Sequence, residues 1–215
     1  MTYLNIMNNV LRRLREEEVN SVTESTYSKM AGDFINDAKT IVGEATDWSA
    51  LRTTLVINTV QGDNLYSLTG CGDNVKVMSV VNDTQNCFME YQTKDWFNNR
   101  LYIADETSGA PQYYTYQGLD SNGDTQVLVN PNPDGVYSLR FDVVKRQADL
   151  TNNADTLLIP EKPVIHLALA LLARERGETG GTSTAEYFAI ADKYLSDAIA
   201  IDAAKHPEEM IFRTI

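Results

Sequence analysis

Pro160-Glu161-Lys162-Pro163-Val164-Ile165-His166-Leu167-Ala168-Leu169-Ala170-Leu171-Leu172-Ala173-Arg174-Glu175-Arg176 is the stretch on which the fold turns. Two prolines stand at its head, where a helix tolerates a missing N–H. From Val164 to Ala173 the side chains are then apolar nearly all round. A helix without a polar face has to be surrounded by other elements, so this one is predicted to be central and buried.

Its partners lie at both ends of the chain. Downstream, Gly177, Gly180 and Gly181 break the helix, and Thr184 caps a final helix running to Lys205. The final helix carries a stripe of Tyr187, Ile190 or Ala191, Tyr194 or Leu195, Ala198 and Ile201, and Pro207 stops it. At the start of the chain, Leu4, Met7, Val10, Leu11 and Leu14 recur at helical spacing from Thr2 to Glu17. Ser21-Val22-Thr23-Glu24 matches a capping box, and Tyr27, Met30, Phe34, Ala38, Ile41 and Ala45 follow as the stripe of a second helix, in which Gly32 is a weak point.

Between these helices the period changes. From Trp48 on, β-branched runs alternate with turns: Thr53–Val60, Leu65–Leu68, Val75–Val81, Cys87–Gln92, Gln112–Gln117, Thr125–Asn130 and Val136–Val144. Lys94–Tyr102 reads as a short helix capped by Asp95, and Asn130-Pro131-Asn132-Pro133-Asp134-Gly135 as a turn. Short strands at this spacing predict an antiparallel sandwich or barrel-like sheet. The fold class expected is therefore α+β. Residues 1–47 and 160–206 form a discontinuous four-helix bundle, 48–159 an inserted antiparallel β-rich domain, and 207–215 an extended C-terminal arm.

Composition narrows the function. The 215 residues carry a net charge of -12, about -6 in the helical ends and -6 in the middle, with no acidic tail. No basic stripe is present to neutralise phosphates, which argues against gripping nucleic acid; a surface past which DNA slides does better to repel it. No apolar run nears the ~20 residues of a membrane span. The opening Met1-Thr2-Tyr3-Leu4, with Arg12-Arg13 only later, lacks a signal-peptide layout. Cys71 and Cys87 sit in no metal-binding spacing and read as small buried side chains, with one isolated disulfide between them left open as the lesser alternative.

Candidate sites are sparse. His166 lies in the most apolar helix with no nucleophile motif nearby and reads as a hydrogen-bonded structural histidine; His206 suits a helix C-terminus. Asp120-Ser121-Asn122-Gly123-Asp124 resembles part of a calcium loop but lacks the later bidentate glutamate, so a hairpin turn is expected. The glycines at 70–72 and 177–181 lack phosphate-loop spacing. Tyr113, Tyr114 and Tyr116 with Trp96 and Phe97 suit either a sugar-stacking surface or ordinary sheet packing. No catalytic residue, cofactor or metal is expected. The tail is the most informative feature: Met210, Ile211, Phe212, Arg213 and Ile215 have the composition of an interface anchor rather than of a frayed end.

The order of these parts resembles the head-to-tail connector adaptor of short-tailed bacteriophages, the tail tubular protein A type. Two opening helices (2–45) precede a β-rich middle. Leu158-Ile159-Pro160 enters an Ala/Leu-rich helix closing with Ala173-Arg174-Glu175-Arg176-Gly177, and a last helix with Tyr187, Tyr194-Leu195 and Ala198 leads to an extended tail. The resemblance implies a twelve-fold homo-oligomeric ring between the portal protein and the tail nozzle protein, at the head–tail junction of the virion, assembled in the host cytoplasm. It implies that 207–215 reach the portal, that the helices form the wall of a channel for double-stranded DNA during ejection, that the β insertion faces outward or towards the tail, and that neither catalysis nor a membrane is involved. A carbohydrate- or receptor-binding tail component and an acidic hydrolase are the competing classes.

Overall fold

A computed structural model of the chain describes residues 1–103, 107–177 and 182–205. The fold is α+β, and the chain divides into two compact units, Met1–Leu51 with Gln147–Ile215, and Arg52–Arg146.

In the first unit α1 (Tyr3–Arg13), α2 (Thr26–Glu44) and α5 (Thr182–Ala203) all pack on α4 (Glu161–Glu175). Every α4 residue from Pro163 to Ala173 except Leu167 is buried, as its all-round apolar sequence requires. α1 ends earlier than its periodicity suggests. Leu14 leaves the helix, and Arg15 takes a left-handed φ of 58°, so Glu16 and Glu17 lie beyond it. The cap of α2 also moves. Ser25 and Ser28 form the capping box, while the Glu24 carboxylate turns back to accept from the N–H groups of Asn20 and Ser21 one turn earlier. The stripe that α2 buries is Ala31, Ile35, Ala38 and Val42. Of the bulkier stripe expected in the core, Ala38 alone is buried; Met30 and Phe34 are half-buried and Ile41 is 50% exposed. Small residues win the inner position because they let the helix axes approach; Gly32 faces the Tyr3 ring closely enough that no Cβ fits.

The boundaries of this unit differ from the sequence reading, which placed residues 48–51 and 147–159 with the strands. Trp48 is fully buried and its Nε1 donates to the Val42 carbonyl at 2.8 Å, closing the C-terminus of α2. A 3-10 turn, Ser49–Leu51, follows, and Asp202 of α5 accepts from both the N–H and the hydroxyl of Ser49. The return segment is tied down just as firmly. The ammonium of Lys39, 3% exposed in α2, donates to the carbonyls of Gln147 (3.2 Å) and Ala148 (2.9 Å) and to the Asp149 carboxylate (2.7 Å). Asn36 exchanges two hydrogen bonds with the backbone of Leu150. Tyr3 and Leu4 donate their N–H groups to the carbonyls of Asp155 and Asn153. None of these polar anchors has a hydrophobic period, so the sequence places the boundary only at the next helix start, Pro160.

The second unit holds two four-stranded sheets. One has the order β1 (Arg52–Asn58), β8 (Ser138–Lys145), β3 (Val75–Asn82), β4 (Cys87–Phe88); the other β2 (Leu65–Ser67), β7 (Thr125–Asn130), β6 (Tyr113–Leu119), β5 (Glu90–Tyr91). Side chains from both sheets, among them Leu68, Val80, Met89, Tyr114, Val127, Val129, Leu139 and Phe141, share one core. All pairs are antiparallel except β5 with β6, so the sandwich is mixed rather than wholly antiparallel. The run expected as one strand over 87–92 changes sheets at buried Met89, whose N–H donates to Val80 while that of Glu90 donates to Gln112. α3 (Lys94–Asn98), capped by the Thr93 hydroxyl rather than by Asp95, continues as a π-helical turn, Asn99–Ile103, and buries Phe97 completely.

Two stability predictions follow from the helical unit. Lys39→Met should cost about 2–3 kcal/mol in urea unfolding, because two backbone carbonyls lose a charged donor. Asp149→Asn should cost less than about 1 kcal/mol, since the Asp149 side chain is 71% exposed. Gly32→Ala gains up to about 1 kcal/mol of helix propensity, yet its Cβ would lie 2.3 Å from the Tyr3 hydroxyl oxygen. Overpacking of about 1–3 kcal/mol should make the variant less stable overall, and adding Tyr3→Phe should recover most of the loss in the same assay.

Candidate functional site

His166 is a junction residue. It is 8% exposed on α4, accepts at Nε2 from Arg13 Nη1 of α1 at 3.1 Å, and stacks on Tyr194 of α5 with ring centroids 4.5 Å apart. Burial, followed by the Arg13 and Lys162 charges, pushes its pKa below the usual histidine value. A neutral imidazole that only accepts a hydrogen bond from a cation is a structural group, as its apolar surroundings suggested.

The other candidates resolve into structure as well. Asp120 closes the β6–β7 hairpin, where its Oδ1 accepts from the N–H groups of Asn122 (2.8 Å) and Asp124 (2.9 Å). Those backbone bonds hold its carboxyl below the usual range. The glycine turn at 70–72 wraps a carboxylate of its own chain: Asp124 accepts from the N–H groups of Gly70 (2.9 Å) and Gly72 (2.8 Å). Both glycines have positive φ, 78° and 69°, which that wrap requires. Among the described residues no group of three or more His, Cys, Asp or Glu is placed to hold a metal ion. Nor is any helix long and apolar enough to cross a membrane. Cys71 is buried and Cys87 half-buried, both as free thiols.

The aromatics divide into two groups. Trp96 packs against Tyr113 at 4.8 Å and carries the Arg100 guanidinium over its ring at 5.1 Å, so part of the ring is already engaged within the chain. Tyr114 points into the sandwich core against Phe141, and burial raises its pKa to about 12. Tyr91 and Tyr116 remain partly open, 54% and 37% exposed, with rings 6.0 Å apart.

What stands out on each unit is apolar surface left in water. On the helical unit, Met30, Phe34 and Ile41 of α2 form one partly exposed stripe. Ile190 and Ile201 of α5, 41% and 67% exposed, form another, bordered by Tyr194, which stacks on His166 yet stays 38% exposed; Ala191 and Leu195 take inward positions of that helix. On the β unit, Val56, Arg140, Val81 and Phe88 lie in one row across β1, β8, β3 and β4, with Val56 and Phe88 59% and 71% exposed. Beside that row Asp142 accepts from Thr54 and Ser79 at the floor of a pocket of about 360 Å³, walled by Arg52 and Met78. This outer sheet face was not singled out by sequence; its signal is the unbroken Leu55-Val56-Ile57, apolar on both faces of one strand. Met210, Ile211, Phe212, Arg213 and Ile215, expected to dock a partner, and His206 lie outside the described residues.

The His166 arrangement has a pH consequence. A histidine whose folded pKa is depressed binds its proton more readily when unfolded. Its contribution is therefore complete above about pH 6.5 and is lost as pH falls through the lower, folded value. The native chain should lose stability on acidification from pH 7 to 5 more steeply than His166→Gln, in urea titrations at each pH.

Rows of exposed apolar side chains on each unit, with no metal-holding cluster among the described residues, suit a part built into something larger. Comparison with known proteins supplies the class of that assembly. No curated protein matches the sequence. A family model described as SU10 adaptor protein matches residues 1–209, nearly the whole chain. The chain therefore belongs to the SU10 adaptor protein family and is a structural adaptor of bacteriophages, in keeping with its resemblance to head-to-tail adaptors.

Proposed function

We propose that this chain is the head-to-tail adaptor of its virion, of the tail tubular protein A type, assembled in the host cytoplasm as a twelve-subunit ring between the portal and the tail nozzle. The observation that carries the ring is the pair of unlike apolar faces on the helical unit, one on α2 and one on α5. Two different faces that complement each other give a head-to-tail contact, and such contacts close into rings rather than two-fold dimers. In this reading the helices pack as a four-helix bundle in the ring wall, and the β unit faces outward or towards the tail. The net charge of -12 suits a channel that lets double-stranded DNA pass without holding it. The mechanism is assembly by complementary surfaces, with no catalysis. The carbohydrate-binding alternative draws less support, because the Trp96 ring is already engaged by Tyr113 and Arg100.

Residues 207–215 serve as the portal-docking arm in this reading. Pro207 forces the chain out of helix. Met210, Ile211, Phe212 and Ile215 are each worth roughly 1.5–3 kcal/mol when buried, and Arg213 adds a donor for a carboxylate. Repetition around a ring turns modest arms into strong avidity. The test is deletion of 208–215. The truncated protein should keep its helicity and melting, keep the mass of the ring, and fail to bind portal rings. Docking at full-length strength would disprove the arm, and unfolding would assign the tail to the core. A monomeric full-length protein would disprove the ring.

A further inference from the structure

β1 is an open sheet edge without the usual protection. It pairs on one side only, with β8, over seven residues in unbroken register. The direction of its remaining backbone groups follows from two hydrogen bonds. Thr59 N–H donates to the Tyr137 carbonyl at 2.9 Å, continuing the register in which Asn58 faces Ser138. On the other flank of β8, Asp83 N–H donates to the Ser138 carbonyl at 2.8 Å. Antiparallel ladders alternate, so Thr53, Leu55 and Ile57 spend their N–H and C=O groups on β8, while those of Thr54, Val56 and Asn58 point away from the sheet. Among the described residues no hydrogen bond from outside the β1–β8 ladder reaches those three backbones.

Exposed edges are normally blunted by proline, lysine, a bulge or shortness. β1 has no proline, lysine or bulge and is not short, and its one charge, Arg52, stands at its end; the bulge of its sheet lies in β3, at Val77–Ser79. The other open edges are short, three residues in β2 and two each in β4 and β5. That contrast bears on the occupant. Two copies of β1 would pair about a two-fold axis and close into a dimer, which a ring excludes. The short edges of a neighbouring copy do not match a seven-residue strand. With no matching edge among the described residues of a second copy, the occupant left is a segment from a different polypeptide.

We propose that the β1 edge accepts, as a fifth strand, an extended segment of the tail-side partner of this adaptor, with a β-branched or aromatic residue opposite Val56 and a carboxylate beside Arg52. This rests on the adaptor reading, in which the terminal arm serves the portal side. The apolar residue extends the row Val56–Arg140–Val81–Phe88 by one strand. The carboxylate answers Arg52, exposed at the end of the edge and without an ion-pair partner among the described residues. Backbone pairing supplies the affinity and these two side chains the register.

Val56→Pro tests the edge selectively: it deletes an outward N–H and bars an added strand while removing no β1–β8 bond. Val56→Thr keeps the N–H and serves as control. Both variants are supplied in place of the native chain during phage growth, and hydrogen exchange is read on native rings and on intact virions. The Val56→Pro ring should keep its mass and melting and still join heads, but tail attachment and plaque titre should fall more than about tenfold; Val56→Thr should stay near native. The amides of Thr54, Val56 and Asn58 should exchange freely in the native ring and at least about 100-fold more slowly in virions. Full titre with Val56→Pro overturns the proposal, and so does protection of those amides already in the isolated ring, which would mean a neighbouring copy covers the edge. If Val56→Pro melts lower, Val56→Lys carries the test with the same readouts. A chain that forms no ring and enters no virion sinks the adaptor reading; rings that attach tails normally with β1 blocked sink only the strand.

Discussion

α4 has no face that it can give to water. From Pro163 to Ala173 nearly every side chain is buried, and a single helix of this kind needs neighbours around its whole circumference. The chain supplies them from both directions, α1 and α2 from its beginning and α5 from just beyond α4 itself. Everything between α2 and α4 must therefore leave this core and come back. The polar anchors around Trp48 and Lys39 stand at those two crossings, where the backbone changes from helix to strand and back.

Much of this was legible in the sequence because hydrophobic period reports an element's type. The helical spacing before Glu44 and after Pro160, and strands such as Thr125–Asn130, correspond to observed elements. What period does not report is the identity of the partner. On α2 two apolar stripes lie side by side; the bulkier was read as core, whereas close packing selected the smaller. At Cys87–Gln92 alternation correctly indicated extended chain but carried nothing about the change of sheet at Met89. Residues 147–159 hold to the helices through carbonyls, amides and one ammonium together with buried Leu150, Leu157 and Ile159, and such irregularly spaced contacts leave no period. The candidate sites follow the same rule. The structural role of His166 was legible from its apolar neighbours, and the Asp120 turn from its oxygen-rich composition; the outer sheet face showed only as three apolar residues in a row.

The apolar surface left on α2, α5 and the β1–β8–β3–β4 sheet separates two demands on the sequence. Residues such as Ile35, Leu169 and Phe141 serve the folding of one chain. Ile201, Val56 and Phe88 are mostly exposed, contribute little to that fold and add solubility risk to a lone subunit. Such exposed apolar residues suit a protein of the SU10 adaptor family, whose members are structural adaptors.

The attachment of the β unit has its own thermodynamic consequence. Its entering and leaving strands, β1 and β8, are hydrogen-bonded neighbours from Arg52↔Val144 onward. While residues 52–146 are folded, the helical unit experiences them as a short bridge between Leu51 and Gln147. If they melt, the same bridge becomes a long floppy loop, and closing it costs the helices about 3 kcal/mol more by the logarithmic dependence on loop length. The dependence is reciprocal. While the helices are folded, an unfolded 52–146 segment would be a closed loop rather than a free chain, so the folded helical unit stabilises the β unit by the same amount, and each unit makes the other harder to melt.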